Sequence, residues 1–119
     1  MKLCTVPIGG QKWPINLVRP KHPIFEGESC HGVTVRDRCV VYLSRGYAAP
    51  ILEDTFVHEV FGHASFYVSG VHQTLVELCA GDSDKAEQVE ETMIRALVPV
   101  WYPILQQFQF RFPSAPETV

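Results

Sequence analysis

Two histidines and a glutamate beside the first are the residues of this chain best suited to chemistry. They lie in Asp54-Thr55-Phe56-Val57-His58-Glu59-Val60-Phe61-Gly62-His63-Ala64. Neutral imidazoles bind zinc, and a carboxylate next to a ligand can take the proton of an attacking water. The familiar zinc-peptidase pattern sets its histidines four apart. At about 100° per residue, a four-residue step leaves the rings within about 40° of each other, and a five-residue step leaves them about 140° apart. A regular α-helix would not aim His58 and His63 at one ion. Two readings stand: the histidines are ordinary, or a one-residue bulge realigns them, and bulges of that kind sit frequently at functional sites. Gly62 stands where such a distortion costs least. A mid-helix glycine otherwise costs roughly 1 kcal/mol against alanine.

His58-Glu59-Val60-Phe61-Gly62-His63 resembles the His-Glu-x-x-Gly-His motif of the dipeptidyl peptidase III family of zinc peptidases, which carries the same extra residue. That family takes its third ligand from the second member of a Glu-Glu pair on a later helix, and Glu90-Glu91 is such a pair here. The resemblance implies one zinc ion per chain, with His58, His63 and Glu91 as ligands. It implies Glu59 as general base and Glu90 as a support for a ligand. It covers only these two short motifs. The family's chains are several times longer, and its Glu-Glu pair is followed by Cys-Arg-Ala-Glu/Asp where this chain has Thr92-Met93-Ile94-Arg95. In size and layout the chain looks more like the small phage and bacterial metallopeptidases related to the ImmA/IrrE type, which normally have the four-residue spacing. Together the likenesses imply a minimal zincin core.

The apolar positions of the later helix give a separate guide. Val89, Met93, Ile94, Ala96, Leu97, Val100 and Trp101 mark its expected buried face. Glu90 falls near the middle of that face and Glu91 about 100° round, towards its edge. A carboxylate among apolar neighbours is costly unless paired or metal-bound. Periodicity therefore favours Glu90 as third ligand and the family motif favours Glu91. Both remain candidates, with Glu87 a more distant one, and a solvated acidic face is the competing explanation for all three.

Two imidazoles and one carboxylate leave zinc a position for water, whose pKa the metal lowers towards ~7. Glu59 would then move the proton from that water to the leaving amine. Asp54 or a backbone carbonyl could orient a ligand ring. Tyr47, Tyr67, Tyr102 and His72 are candidate oxyanion donors. His22, His31 and His72 read as structural or exposed rather than as ligands. The expected function is a zinc metallopeptidase, its peptide or protein substrate lying along the edge of a small sheet. A catalytically inactive zincin-like binding module in a phage or bacterial host-interaction protein is the alternative. A metal-dependent hydrolase of non-peptide amides is a third, weaker option.

These side chains need elements to hold them. Lys2 to Ile8 and Gln11 to Arg19 read as strands about a Gly9-Gly10 hairpin turn, with Pro14 pointing to an edge position or a bulge. Ser29 to Val35 and Arg38 to Ser44 form a second hairpin pattern about Arg36-Asp37. From Ile51 the period becomes helical up to Ser69, with Gly70 as stop. Val71 to Cys79 is ambiguous, a short helix being one option. Ala86 to about Val98 forms a second long helix, capped by Asp82 or Ser83, with a kink or restart at Pro99 and Pro103. The expected fold class is α+β and zincin-like: a small antiparallel sheet of N-terminal hairpins packed on a metal-binding helix and a second long helix. Residues 1–112 form one domain and 113–119 a mobile tail. Trp101, Tyr102, Phe108, Phe110 and Phe112 read first as core packing and second as a homodimer or protein-partner surface.

The whole chain agrees with this scale. Its 119 residues suit one domain. A net charge of −3 argues against a module held by nucleic-acid phosphates. A hydrophobic fraction of 46% with 19% charged residues excludes disorder for most of the chain. No apolar run approaches the ~20 residues of a membrane span, and Lys2 to Ile8 reads as a strand rather than a signal peptide. The expectation is a cytoplasmic protein, although signal-independent export would leave no trace here. Cys4, Cys30, Cys39 and Cys79 contain no Cys-x-x-Cys pair and read as thiols, a Cys30–Cys39 bridge being the weaker option.

Overall fold

Gly9 and Gly10 close the first hairpin because both hold positive φ angles, 57° and 85°, as a primed two-residue turn requires. In the computed structural model, which describes residues 1–26 and 30–108, this turn joins β1 (Lys2–Ile8) to β2 (Gln11–Val18). The second hairpin joins β3 (Gly32–Val35) to β4 (Val40–Ser44) through a 3-10 turn at Arg36–Arg38. The strand order is β1-β2-β4-β3.

The sheet is mixed, not antiparallel as expected. β4 lies parallel to β2, while β1/β2 and β3/β4 are antiparallel. The second hairpin thus presents its later strand to the first. The physical reason is in β4, where Val40, Val41, Leu43 and Ser44 are all buried. A strand apolar on both faces belongs in the sheet interior, which leaves β3 at the edge. β2 is interior as a whole, but Pro14 sits at a local edge of it. It pairs with Thr5 of β1, and pairing to β4 begins only at the next residue, Ile15. Cys39 carries an unbridged thiol, so the Cys30–Cys39 disulfide does not form.

The first helical region is one rod with three windings: α1 (Ala49–Phe56), a π-helical segment (Val57–Ala64) and α2 (Ser65–Ser69). It starts with Pro50 in its first turn and ends at Gly70, φ 87°. α3 (Val71–Leu78) fills the ambiguous stretch. α4 (Ser83–Gln107) begins at Asp82, whose side chain accepts from the Lys85 N–H at 3.0 Å.

α4 runs unbroken through Pro99 and Pro103, where a kink or restart was expected. Each proline removes the bond to the carbonyl four residues back, here Arg95 and Pro99. Both of those residues are exposed, so water can satisfy the released carbonyls. The buried face of α4 also differs from expectation. Ala86, Glu90, Ile94 and Val98 are buried, one turn apart, whereas Met93, Ala96 and Val100 are exposed. Trp101 packs against the core as expected, and Phe108 is exposed. Phe110, Phe112 and the expected tail at 113–119 lie outside the described residues.

The rod lies between two layers. Phe56, Val60 and Ala64 pack on Trp13, Ile15 and Leu17 of β2 and on Val41 and Leu43 of β4. Val57 and Phe66 pack on Leu75 of α3 and on Ala86, Ile94 and Val98 of α4. The molecule is α+β, with the π segment at its centre. No helix among the described residues is long and apolar enough to cross a membrane.

Candidate metal centre

An i→i+5 winding stacks residues five apart, which a regular α-helix cannot do. The Ser65 N–H reaches the carbonyl of Val60, five residues back. His58 and His63 therefore project together, with ring centroids 5.1 Å apart. Gly62 has a second role besides easing the winding. A Cβ there would lie 2.7 Å from Ile94 Cγ2, so the missing side chain lets α4 come close. Ile94 stands one turn beyond Glu90 and Glu91, and this contact brings both carboxylates to the histidines.

The two adjacent glutamates take different positions. Glu91 bridges the imidazoles: its Oε1 is 2.8 Å from His58 Nε2 and its Oε2 is 2.8 Å from His63 Nε2. Glu90 lies behind, fully buried, with its Oε2 2.6 Å from His63 Nδ1. His58, His63 and Glu91 each offer a donor atom, all within 4.8 Å of one another. His63, Glu87 and Glu90 form a second such group, but a guanidinium already occupies it. Arg36 Nη1 donates to Glu87 at 2.6 Å and Nη2 donates to Glu90 at 2.7 Å.

The charges are strongly coupled. Burial of the His63 ring disfavours its cation, yet the Glu90 and Glu91 hydrogen bonds outweigh this and push its pKa up to about 10. Burial opposes ionisation of Glu90, yet His63, His72 and Arg36 pull its pKa down to about 2. Hydrogen bonds from His58 and His63 hold Glu91 well below the usual carboxylate range. The His63 ring thus has a carboxylate oxygen within hydrogen-bond distance of each nitrogen.

Glu59 is 6% exposed, and its Oε1 accepts the Thr34 hydroxyl at 2.7 Å. Its Oε2 lies 3.9 Å from His58 Nε2. A cleft of about 760 Å³ opens here between the edge strand and the helices, lined by Gly32, Thr34, His58, Glu59, His63 and Glu91 among others.

The other expected residues divide between the cleft and the rest of the molecule. Asp54 and His31 line this cleft, and the His31 ring packs on Tyr47 at 4.3 Å. The Tyr102 hydroxyl donates to Glu53, and Tyr67 packs edge-on against Trp13. His72 is committed to Glu90, Nδ1 to Oε1 at 2.8 Å. His22 Nδ1 accepts the Ile24 N–H, a structural role. Sequence reasoning missed Thr34 and Arg36. Thr34 alternates with Val33 and Val35, the pattern of an outward strand position. Arg36 sits in a turn, where no periodicity marks a buried ion pair.

No protein-family model, curated protein or solved structure matches the chain.

Proposed function

We propose that this chain is a zinc-dependent metallopeptidase with a minimal zincin-like core, hydrolysing peptide bonds. One observation carries the reading: the π winding turns His58 Nε2 and His63 Nε2 onto the single carboxylate of Glu91, beside Glu59 in an open cleft. Two imidazoles and one carboxylate are a catalytic zinc donor set, which leaves a position open. Tetrahedral ligands about 2.0–2.1 Å from zinc stand roughly 3.3 Å apart. The 2.8 Å separations here run to two different Glu91 oxygens, so a shared ion requires the partly exposed Glu91 side chain to shift, with the three donor atoms already within 4.8 Å of one another. Bound there, zinc would supply an activated water and a Lewis acid for the substrate carbonyl.

The chain's own residues do the rest. Glu59 accepts a proton through Oε2 and returns it to the leaving amine. Thr34, bonded to Oε1, holds that carboxylate in place. Thr34 also belongs to the edge strand. The Ser44 N–H bonds the His31 carbonyl at 2.7 Å, and the register continues Gly32↔Leu43, Val33↔Tyr42, Thr34↔Val41. Alternation in an antiparallel ladder then turns the N–H and C=O groups of Gly32 and Thr34 away from β4. An extended peptide added to this edge would lie along the cleft beside Glu59.

The test is cleavage of a mixed peptide library by wild type and Glu59→Gln. The variant should keep zinc and lose at least about 100-fold in rate. Full activity in Glu59→Gln would remove Glu59 as the base and this mechanism with it.

A further inference from the structure

Arg36 is partly buried, carries a charge and touches no residue that the proposed reaction uses directly. We propose that Arg36 is a positioning residue for the metal centre: it anchors Glu90, and Glu90 fixes the His63 ring with Nε2 towards the ion. The inference rests on the metal-site reading above.

Three donors surround the buried Glu90 carboxylate. Oε2 receives Arg36 Nη2 at 2.7 Å and faces His63 Nδ1 at 2.6 Å, while Oε1 faces His72 Nδ1 at 2.8 Å. A carboxylate offers about four acceptor positions, so these partners leave little rotational freedom. The fork of Arg36 is itself fixed by Glu87, with Nη1 to Oε1 at 2.6 Å and Nη2 to Oε2 at 3.2 Å. Arg36 Nε is buried with no partner among the described residues. That cost is borne where the guanidinium must meet Glu87 and Glu90 together.

The reach of this chain of contacts is functional as well as structural. Arg36 lies in the turn between β3 and β4, and Glu90 lies on α4. Their bond joins the edge strand to the carboxylate helix across the π segment. The partner of a ligand histidine's second nitrogen sets its tautomer and ring orientation, and loss of such a partner typically costs 10–100-fold in metal affinity. Without Arg36, Glu90 keeps its histidines but loses the one partner among the described residues that holds a permanent charge.

The experiment compares wild type, Arg36→Lys and Arg36→Met. The His63 ring-nitrogen NMR signals are recorded in chelated protein, assigned by their loss in His63→Gln. Zinc affinity is measured by competition, and the visible spectrum is taken with cobalt. Arg36→Met should displace or broaden the His63 signals, weaken zinc by about tenfold, the low end of the cost of losing such a partner outright, and alter the cobalt bands. Arg36→Lys, which keeps a charged donor to Glu90 but not the fork, should recover part of each. A folded Arg36→Met with wild-type His63 signals and zinc affinity would overturn the proposal and leave Arg36 as a clamp between layers. Should wild type bind no zinc, the metal reading falls, and the ring signals alone still decide whether Arg36 orients His63. If Arg36→Met does not fold, Glu87→Gln loosens the same fork from its half-exposed end. It should move the His63 signals the same way, and unmoved signals there count against the proposal.

Discussion

His58 and His63 are five residues apart in sequence, yet their ring centroids stand 5.1 Å apart because the helix between them winds i→i+5. The extra residue that would separate the rings on an α-helix is absorbed by the winding. The same segment faces the sheet through Val60 and Ala64 and α4 through Val57 and Gly62.

A π segment behaves as an α-helix with one residue inserted. Deleting Phe61, which is 38% exposed, should convert the segment to regular α-helix and keep the flanking register. The shortened protein would have the four-residue spacing, and zinc binding should persist within about tenfold of wild type. Zinc titration of a folded deletion variant checks this. Complete loss of zinc would show that the segment does more than absorb one residue.

Gly62→Ala tests the close approach of α4. The added methyl would meet Ile94 Cγ2 at 2.7 Å, and overpacking of this kind costs typically ~1–3 kcal/mol. Denaturant unfolding should show that loss, together with weaker zinc binding as Glu91 moves away. Adding Ile94→Ala should recover part of both effects, with a coupling of about 0.5–3 kcal/mol. Strict additivity would mean that the contact does not set the helix spacing.

Much of this arrangement could be read from the chain, and the failures have physical causes. Gly9-Gly10 specified the first hairpin because few other residues accept two positive φ angles. The spacing of His58 and His63 raised a bulge as the one winding that would realign them. The sheet was misread because two hairpins can meet through either strand of the second, and only the continuous burial of β4 decides. Glu90 and Glu91 could not be assigned from the helical wheel. Burial alone made Glu90 look like the ligand, but its burial is met by Arg36, His63 and His72. Those partners come from three other elements, and no local pattern reports them.

The ion network sets a pH response in chelated protein that a bound zinc ion would reverse. In chelated protein, His63 has its pKa raised from 6.5 to about 10. Its contribution to stability is full below 6.5 and is lost as pH rises towards about 10. Glu90 has its pKa lowered from 4.5 to about 2, so its contribution is full above 4.5 and is lost as pH falls towards about 2. Thermal melts in chelator should therefore be flattest between these windows and fall on both sides. With zinc in excess the metal competes with protons for His63, so its added stabilisation should grow as pH rises through neutrality. Parallel slopes in chelator and zinc would contradict this coupling.

In the proposed site His58, His63 and Glu91 hold one zinc ion while Glu90 stands behind His63. Metal analysis of purified wild type, His58→Ala, Glu91→Gln and Glu90→Gln tests it most directly. Wild type should hold about one zinc per chain, and His58→Ala or Glu91→Gln almost none. Glu90→Gln should still bind zinc but about 10–100-fold more weakly. Wild-type protein that takes up no zinc, or a Glu91→Gln variant that binds it as wild type does, would rule out this ligand set.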